Sequence, residues 1–278
     1  MMLSVSELEE KSAEYRKKVL SLIVSAKGGH TGGDLSCVDI VNVLYNRILN
    51  ISPGTCSDVE RDRYIHSKGH AVETLYVILA DCGYFPKREL ESIGRYGSMY
   101  IGHPTRKICG IEQNTGALGH GLPMAAGTAI AGKLDKKAFR VFTLLGDGEL
   151  GEGSNWEAAM TASHYGLDNL VAVIDRNKLQ ITGGTEEICG LEPLGKNFTA
   201  FGWHVMEVDG HNISALISVF ESVQKVEGKP TAVIANTVKG KGVSFMENNP
   251  AWHHKVPDAE QLGQALKELE AISPGRTG

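Results

Sequence analysis

The chain has 278 residues, 42% of them apolar and 22% charged, with a formal net charge of −5, so it can bury a sizeable core in one large α/β domain. It carries no basic signature for nucleic acid and no apolar stretch near the roughly 20 residues that span a bilayer, so neither a nucleic-acid nor a membrane partner is expected. The N-terminal segment MMLSVSELEEKSAEYRKK has no signal-peptide core, and the five cysteines (37, 56, 82, 109 and 189) lie far apart without CxxC spacing, which predicts a cytoplasmic protein with reduced thiols and no disulfide or zinc site.

In chain order, Ser6 followed by Glu9 resembles a capping box that opens a helix over 7–26. The run Gly28-Gly29-His30-Thr31-Gly32-Gly33 breaks it. A second helix is expected from Asp34 or Ser36 to about Leu49, and 53–62 reads as a loop. Tyr64-Ile65-His66 predicts a short strand, and a helix follows over 71–82. Residues 94–123 are glycine-rich without a period and read as loop. A small-residue helix opens at Pro123 or Met124 and runs to Lys133. The pattern then becomes strand 139–145, helix 154–165, strand 169–175, a βαβ unit with parallel strands. Further strands are expected at 203–208 and 231–236, with a helix over 212–227 between them. Leu262, Ala265, Leu266, Leu269 and Ile272 fall near one face of a terminal helix over 258–272. The expected fold is α/β, a mostly parallel central sheet with helices on both faces, as a single domain over 1–278.

Two of these strands end in chemistry. The apolar run 140–145 is followed by Gly146-Asp147-Gly148, and the run 169–174 by Asp175-Arg176-Asn177-Lys178-Leu179. In open parallel sheets ligands bind beyond the carboxyl ends of the strands. A carboxylate, an amide oxygen and a backbone carbonyl there suit an octahedral Mg²⁺, with phosphate oxygens and water completing the shell. Gly148 lets a backbone N–H come close to a phosphate, and the following helix would direct its positive end at the same anion. Gly-Asp-Gly alone is also a common turn sequence; the paired strand ends favour the site.

The segment GDGELGEGSNWEAAMTASHYGLDNLVAVIDRNKLQITG resembles the thiamine diphosphate motif, and specifically that of transketolases. KGGHTGGDLS, RDRYIHSKGHA, IGHPTRKICGIEQNTGALGHGL and NTVKGKGVSF with AWHHK match that family in order. The resemblance implies a thiamine diphosphate-binding fold, with Asp147, Asn177 and the Leu179 carbonyl on Mg²⁺ or another divalent cation such as Ca²⁺ or Mn²⁺. It implies that Gly148 and Asn177 meet the diphosphate and that His70 contacts the phosphate region. Gly116, Ala117 and Leu118 would line the cofactor rings, Ala117 standing where the family commonly has proline. Glu152 matches an acidic residue that sits near the subunit interface and helps couple the two sites.

A cluster of neutral histidines suits a polyol substrate, because each ring can donate and accept near neutral pH. By the same resemblance, His30 contacts the donor near its carbonyl, His103 its terminal hydroxyl, and His253 assists proton transfer beside the cofactor. His66 is expected in the core; His120, His164, His204 and His254 are expected to be ordinary surface or packing residues; and His211 is expected to be structural. Lys239 is read evenly as a residue at the active-site mouth or a solvated lysine, and Trp252 as packing. The glutamate and aromatic pocket that the family uses for the aminopyrimidine have no match here. A companion carrying the pyrimidine-binding domain is therefore expected, in an α₂β₂ assembly acting on sugars or sugar phosphates. The expected activity is transfer of a two-carbon ketol group. The competing readings are a deoxyxylulose-phosphate synthase-like enzyme, a 2-oxoacid dehydrogenase subunit, or a cofactor-binding subunit without catalysis. A nicotinamide-binding domain is weak, for GxGxxG is missing after the first strand.

Overall fold

The structure is a computed structural model that describes residues 3–272. Helix α1 (Val5–Ala26) opens on Ser4, not Ser6: the Ser4 hydroxyl accepts the Glu7 N–H at 3.3 Å and Glu7 Oε2 accepts the Ser4 N–H at 2.7 Å. The same S-x-x-E spacing occurs twice in a row, and the earlier copy caps. The helix ends at Lys27, whose φ of +55° turns the chain. Helix α2 (Thr31–Val43) restarts three residues earlier than the sequence implies, with Gly32 and Gly33 inside it. These glycines admit neighbours. A Cβ at Gly32 would lie 3.0 Å from Lys239 Cγ and from the Trp252 carbonyl oxygen. α2 is buried along its whole length and continues as a π turn over Leu44–Ile48.

Strand β1 (Arg63–His66), α3 (Val72–Asp81), α4 (Gly121–Leu134), β2 (Val141–Gly146), α5 (Gly153–His164) and β3 (Leu170–Arg176) follow close to their expected places. A small hairpin, β4 (Leu179–Gln180) with β5 (Gly183–Gly184), the single turn α6 (Thr185–Ile188) and the short α7 (Leu194–Ala200) were not legible in the sequence. β6 (His204–Asp209), α8 (Ile213–Ser222), β7 (Thr231–Asn236) and α9 (Ala259–Ala271) complete the chain; α8 stops short of residue 227. In α9, Ala265 and Leu269 are buried, but Ile272 is exposed beyond its end.

The main sheet has the order β1-β2-β3-β7-β6, and every pair in it is parallel. Its residues alternate between two cores with the period of two that strands impose. Phe142, Leu144, Val171 and Val173 pack with α1, α2, α3 and α8, whereas Val141, Leu145, Leu170, Ala172 and Ile174 pack with α4, α5 and α7. Helices thus cover both faces, and β2 and β3 are buried at every position. Among the described residues no helix is long and apolar enough to cross a membrane.

The expectation for the cysteines fails. Cys56 and Cys109 are joined as a disulfide, while Cys37, Cys82 and Cys189 are free. The two partners are 53 residues apart in sequence, and only the folding of the 94–120 loop against the 50s loop brings them together.

Candidate active site

β2 and β3 pair in the register Gly146 opposite Asp175. Asp147 and Asn177 therefore leave the sheet at the same carboxyl edge. A cavity of about 560 Å³ opens there, walled by the start of α2, the loop after β1 and the 103–118 segment. His30, His70, His103, His253, Gly116, Leu118, Asp147, Gly148, Glu152, Asn177 and Leu179 all line it. Ala117 does not; it is exposed, and its carbonyl lies 3.2 Å from His120 Nδ1. A second space of equal volume lies beyond the ends of β3, β7 and β6, sharing Asn177 and Leu179 but without the four histidines.

The edge groups are held tightly. Asp147 is 1% exposed; its Oδ1 accepts the Gly148 N–H at 2.8 Å and its Oδ2 accepts the Lys178 N–H at 2.5 Å. That second bond depends on Lys178, whose φ of +64° folds the chain back after Asn177. Arg176 Nη1 also donates to Asp147 Oδ2 at 3.0 Å, while its other N–H groups reach Thr185, Glu186 and Glu192. Asn177 Oδ1 accepts the Leu179 N–H at 3.2 Å, and the Leu179 carbonyl accepts from Lys239 Nζ at 3.2 Å. A carboxylate, an amide oxygen and a carbonyl, each with a free lone pair, form a hard donor set that fits a small divalent cation. Burial, followed by the charge of Asp175, raises the Asp147 pKa. A Cβ on Gly148 would lie 2.8 Å from Gln180 Cβ, so glycine is needed for the approach of these two loops. Gly148 opens only a short 3₁₀ turn, Gly148–Gly151; α5 begins at Gly153, so its N-terminus is set back from the diphosphate region expected at Gly148.

Opposite this edge stand the histidines. The His30 ring lies 5.0 Å from that of His70, 5.3 Å from His253 and 6.4 Å from His103. Burial, then the adjoining His254 and His103, brings His30 down to about 4. Burial, then Lys239, brings His253 to about 3, and burial alone lowers His103. All are neutral at pH 7, when a ring can both donate and accept. His103 is placed by Gly116. With φ +140°, a Cβ there would sit 2.4 Å from His103 Cδ2. Lys239 is not solvated; it is 2% exposed, lines the cavity, and is lowered to about 8 by burial and by Lys68.

Several site residues escaped the sequence. His254 is exposed, as expected of a surface residue, and its ring lies 4.6 Å from that of His30. Glu149 is 2% exposed and ties three segments together through Ser67 Oγ, the Gly119 N–H at 3.0 Å and the Gly146 N–H at 3.1 Å. Lys68, itself in the cavity wall, pairs with Asp175, with Ser36 Oγ donating to Asp175 at 2.6 Å and Thr237 also bonded to it. Burial opposes the Lys68 charge, but Asp175 outweighs it and holds the lysine above its ordinary value. A charge closing an otherwise apolar strand was the available signal for Asp175. The bland assignments of the other histidines agree with the geometry. His66 is buried between the Tyr64 hydroxyl at 2.7 Å and the Ala71 carbonyl at 2.9 Å, and His211 bridges Asp39 and the Val238 N–H, each at 2.8 Å. Trp252 is 3% exposed and packs on Phe245. Among the described residues there is no group of three or more His, Cys, Asp or Glu that could hold a metal, so the only metal reading is the mixed oxygen set above.

Residues 9–271 match the family described as transketolase, thiamine diphosphate binding domain. The chain is 47% identical over 267 residues to one of the subunits of the apulose-4-phosphate transketolase of Phocaeicola vulgatus, covering 96% of this chain and 95% of that one. It is 42% identical over 265 residues to the 6-deoxy-6-sulfo-D-fructose transketolase subunit SqwG of a Clostridium species, covering 95% and 96%. The transketolase structure from Campylobacter jejuni superposes with a TM-score of 0.89 at 28% identity, over 95% of this chain but only 43% of that chain. The chain thus spans nearly the whole of these two relatives and less than half of the single-chain transketolase.

Proposed function

We propose, from the premise that this chain belongs to the transketolase family in its thiamine diphosphate-binding domain, that it is the N-terminal subunit of a split transketolase, moving a two-carbon ketol group from a ketose to an aldose. The observation that carries this is one cavity holding both an oxygen donor set at the ends of β2 and β3 and a cluster of neutral histidines facing it. Thiamine diphosphate, when bound, supplies the electron sink that carbon–carbon cleavage needs. The chain's own residues hold, orient and move protons around it. Asp147, Asn177 and the Leu179 carbonyl grip a divalent cation, Mg²⁺ or alternatively Ca²⁺ or Mn²⁺. Gly148 and His70 meet the diphosphate, and Lys239, held within the same wall, adds positive charge. Gly116 and Leu118 bound the ring system; Ala117 contributes through its backbone. Glu152, exposed at the rim, faces the companion and links the two sites. His30 binds the donor near its carbonyl, His103 its terminal hydroxyl, and His253 passes protons.

The Phocaeicola and Clostridium relatives are each named as one subunit of a transketolase, which supports a companion that carries the pyrimidine-binding domain, and symmetry favours α₂β₂. The substrates in those names, apulose 4-phosphate and 6-deoxy-6-sulfofructose, support a sugar or sugar phosphate here, with a place in pentose phosphate chemistry. Phosphorylated sugars are retained in the cytoplasm by their charge, and we place the chain there, as a single domain over 1–278. Calorimetry of the chain with its companion, thiamine diphosphate and Mg²⁺ tests the reading. Tight uptake is expected, with Asp147→Ala weakening it by about tenfold to a hundredfold and ketol transfer from xylulose 5-phosphate to ribose 5-phosphate lost in parallel. Uptake indifferent to Asp147→Ala would overturn it.

A further inference from the structure

Behind the histidines lies a smaller cavity of about 240 Å³, lined by Gly29, His30, Glu73, Gly102, His103 and His254 among others. His30 and His103 line both this space and the large one, so the two are neighbours across those rings. Glu73 is 2% exposed, and its Oε2 has no protein partner. Asp34 stands behind it, fully buried; one of its oxygens accepts the Thr74 N–H at 2.8 Å and the other has no protein donor. The two carboxyl groups lie within hydrogen-bond reach of each other, and a bond between two carboxyls requires that one carry a proton. Burial raises both: Asp34 to about 6, and Glu73, which also feels Asp34, well above the carboxylate range. Gly29, with φ +150°, packs close against Glu73 Oε1. A Cβ there would lie 2.7 Å from Ile23 Cγ1 and 3.1 Å from Glu73 Oε1.

We propose that this space is a subsite for an uncharged, hydroxyl-bearing part of the donor ketose, with Glu73 as the specificity residue that binds it and Asp34 as the positioning residue behind. With one proton held between the two carboxyls, Glu73 Oε1, beside Gly29 in the cavity wall, is the atom placed to accept a ligand hydroxyl. A phosphate or sulfonate placed there would face two carboxyls in a poorly solvated corner and is rejected. The neutral His30 and His103 rings add matching donors and acceptors. The volume is several times a water molecule's share of liquid, about 30 Å³, so it admits more than solvent.

This subsite rests on the ketol-transfer reading, and one experiment separates the two. The chain is combined with its companion, thiamine diphosphate and Mg²⁺. Its kcat/KM is measured with xylulose 5-phosphate, which carries hydroxyls past the ketol unit, and with hydroxypyruvate, which carries none. For Glu73→Leu the ratio of the two kcat/KM values is expected to fall about tenfold, chiefly through KM for the ketose, and Glu73→Gln is expected to recover most of it. Cofactor uptake by each variant, read by calorimetry, reports on folding of the site. An unchanged ratio, whether both donors fall alike or neither does, overturns the subsite. A wild-type complex that turns over no donor overturns the ketol-transfer reading and the subsite with it.

Discussion

At the scale of single residues, burial sets the titration of His66. His66 is 3% exposed, and burial, followed by Lys68, brings it down to about 3. An unfolded histidine titrates near 6.5. As the pH falls below that value the unfolded chain takes up a proton that the folded chain refuses, so the stability tied to this residue is fully present above about 6.5 and is lost on going down toward 3. His66 alone should cost about 1.4 kcal/mol per pH unit in that window. Asp34 and Glu73 work in the opposite sense, their raised values gaining stability as they protonate, so the histidine term is best isolated by difference. His66→Gln can still donate to the Ala71 carbonyl but cannot protonate. Urea unfolding at a series of pH values should show the wild type's stability advantage over His66→Gln shrinking between pH 7 and pH 5. An advantage constant with pH would mean that His66 takes its proton in the folded state.

At the scale of elements, the site is assembled by loops that approach through glycine. The turn after β1 meets the 115–116 segment so closely that a Cβ on Gly69 would lie 2.7 Å from the Gly116 nitrogen and the Thr115 carbonyl carbon. Both obstacles are backbone and cannot swing aside. Gly69→Ala is expected to cost about 1–3 kcal/mol of stability and to weaken cofactor uptake as well, because His70 and Gly116 line one cavity. Gly127, on the open side of α4, has nothing within 4 Å of a Cβ. Gly127→Ala should be neutral or stabilising by roughly 0.5–1 kcal/mol through helix propensity. Denaturant midpoints of the two variants beside the wild type check the contrast. If both behave alike, the loop contact carries no weight. The strands and helices themselves were legible because their periods are local. β2 and β3 read as apolar runs ending in Asp147 and Asn177, and α9 as an amphipathic stretch. Gly32 inside α2 misled because the contacts that require it, Lys239 and Trp252, are more than 200 residues away.

At the scale of the whole molecule, the proposed companion would complete the cavity. Glu152 is exposed at its rim, and Ile181, near the cavity mouth, is 69% exposed. Titrating the companion into this chain should raise ketol transfer from near zero to a plateau at one companion per chain, with sedimentation shifting to the mass of four chains; full activity of this chain alone would remove the need for a partner. The order of strands and helices, the strand-end residues Asp147 and Asn177, and the place of His30, His70, His103 and His253 around one cavity could be read from the sequence, because alternation, turn chemistry and contiguous motifs are properties of neighbours along the chain. The Arg176 tie on Asp147, the Lys68–Asp175 pair, Glu149 across three segments, His254 on His30, the Glu73–Asp34 carboxyls and the Cys56–Cys109 bond were decided only in three dimensions. Each joins residues from different segments, and whether a charge or thiol there is solvated or buried against a partner depends on which loops the sheet brings together at its carboxyl edge and around it.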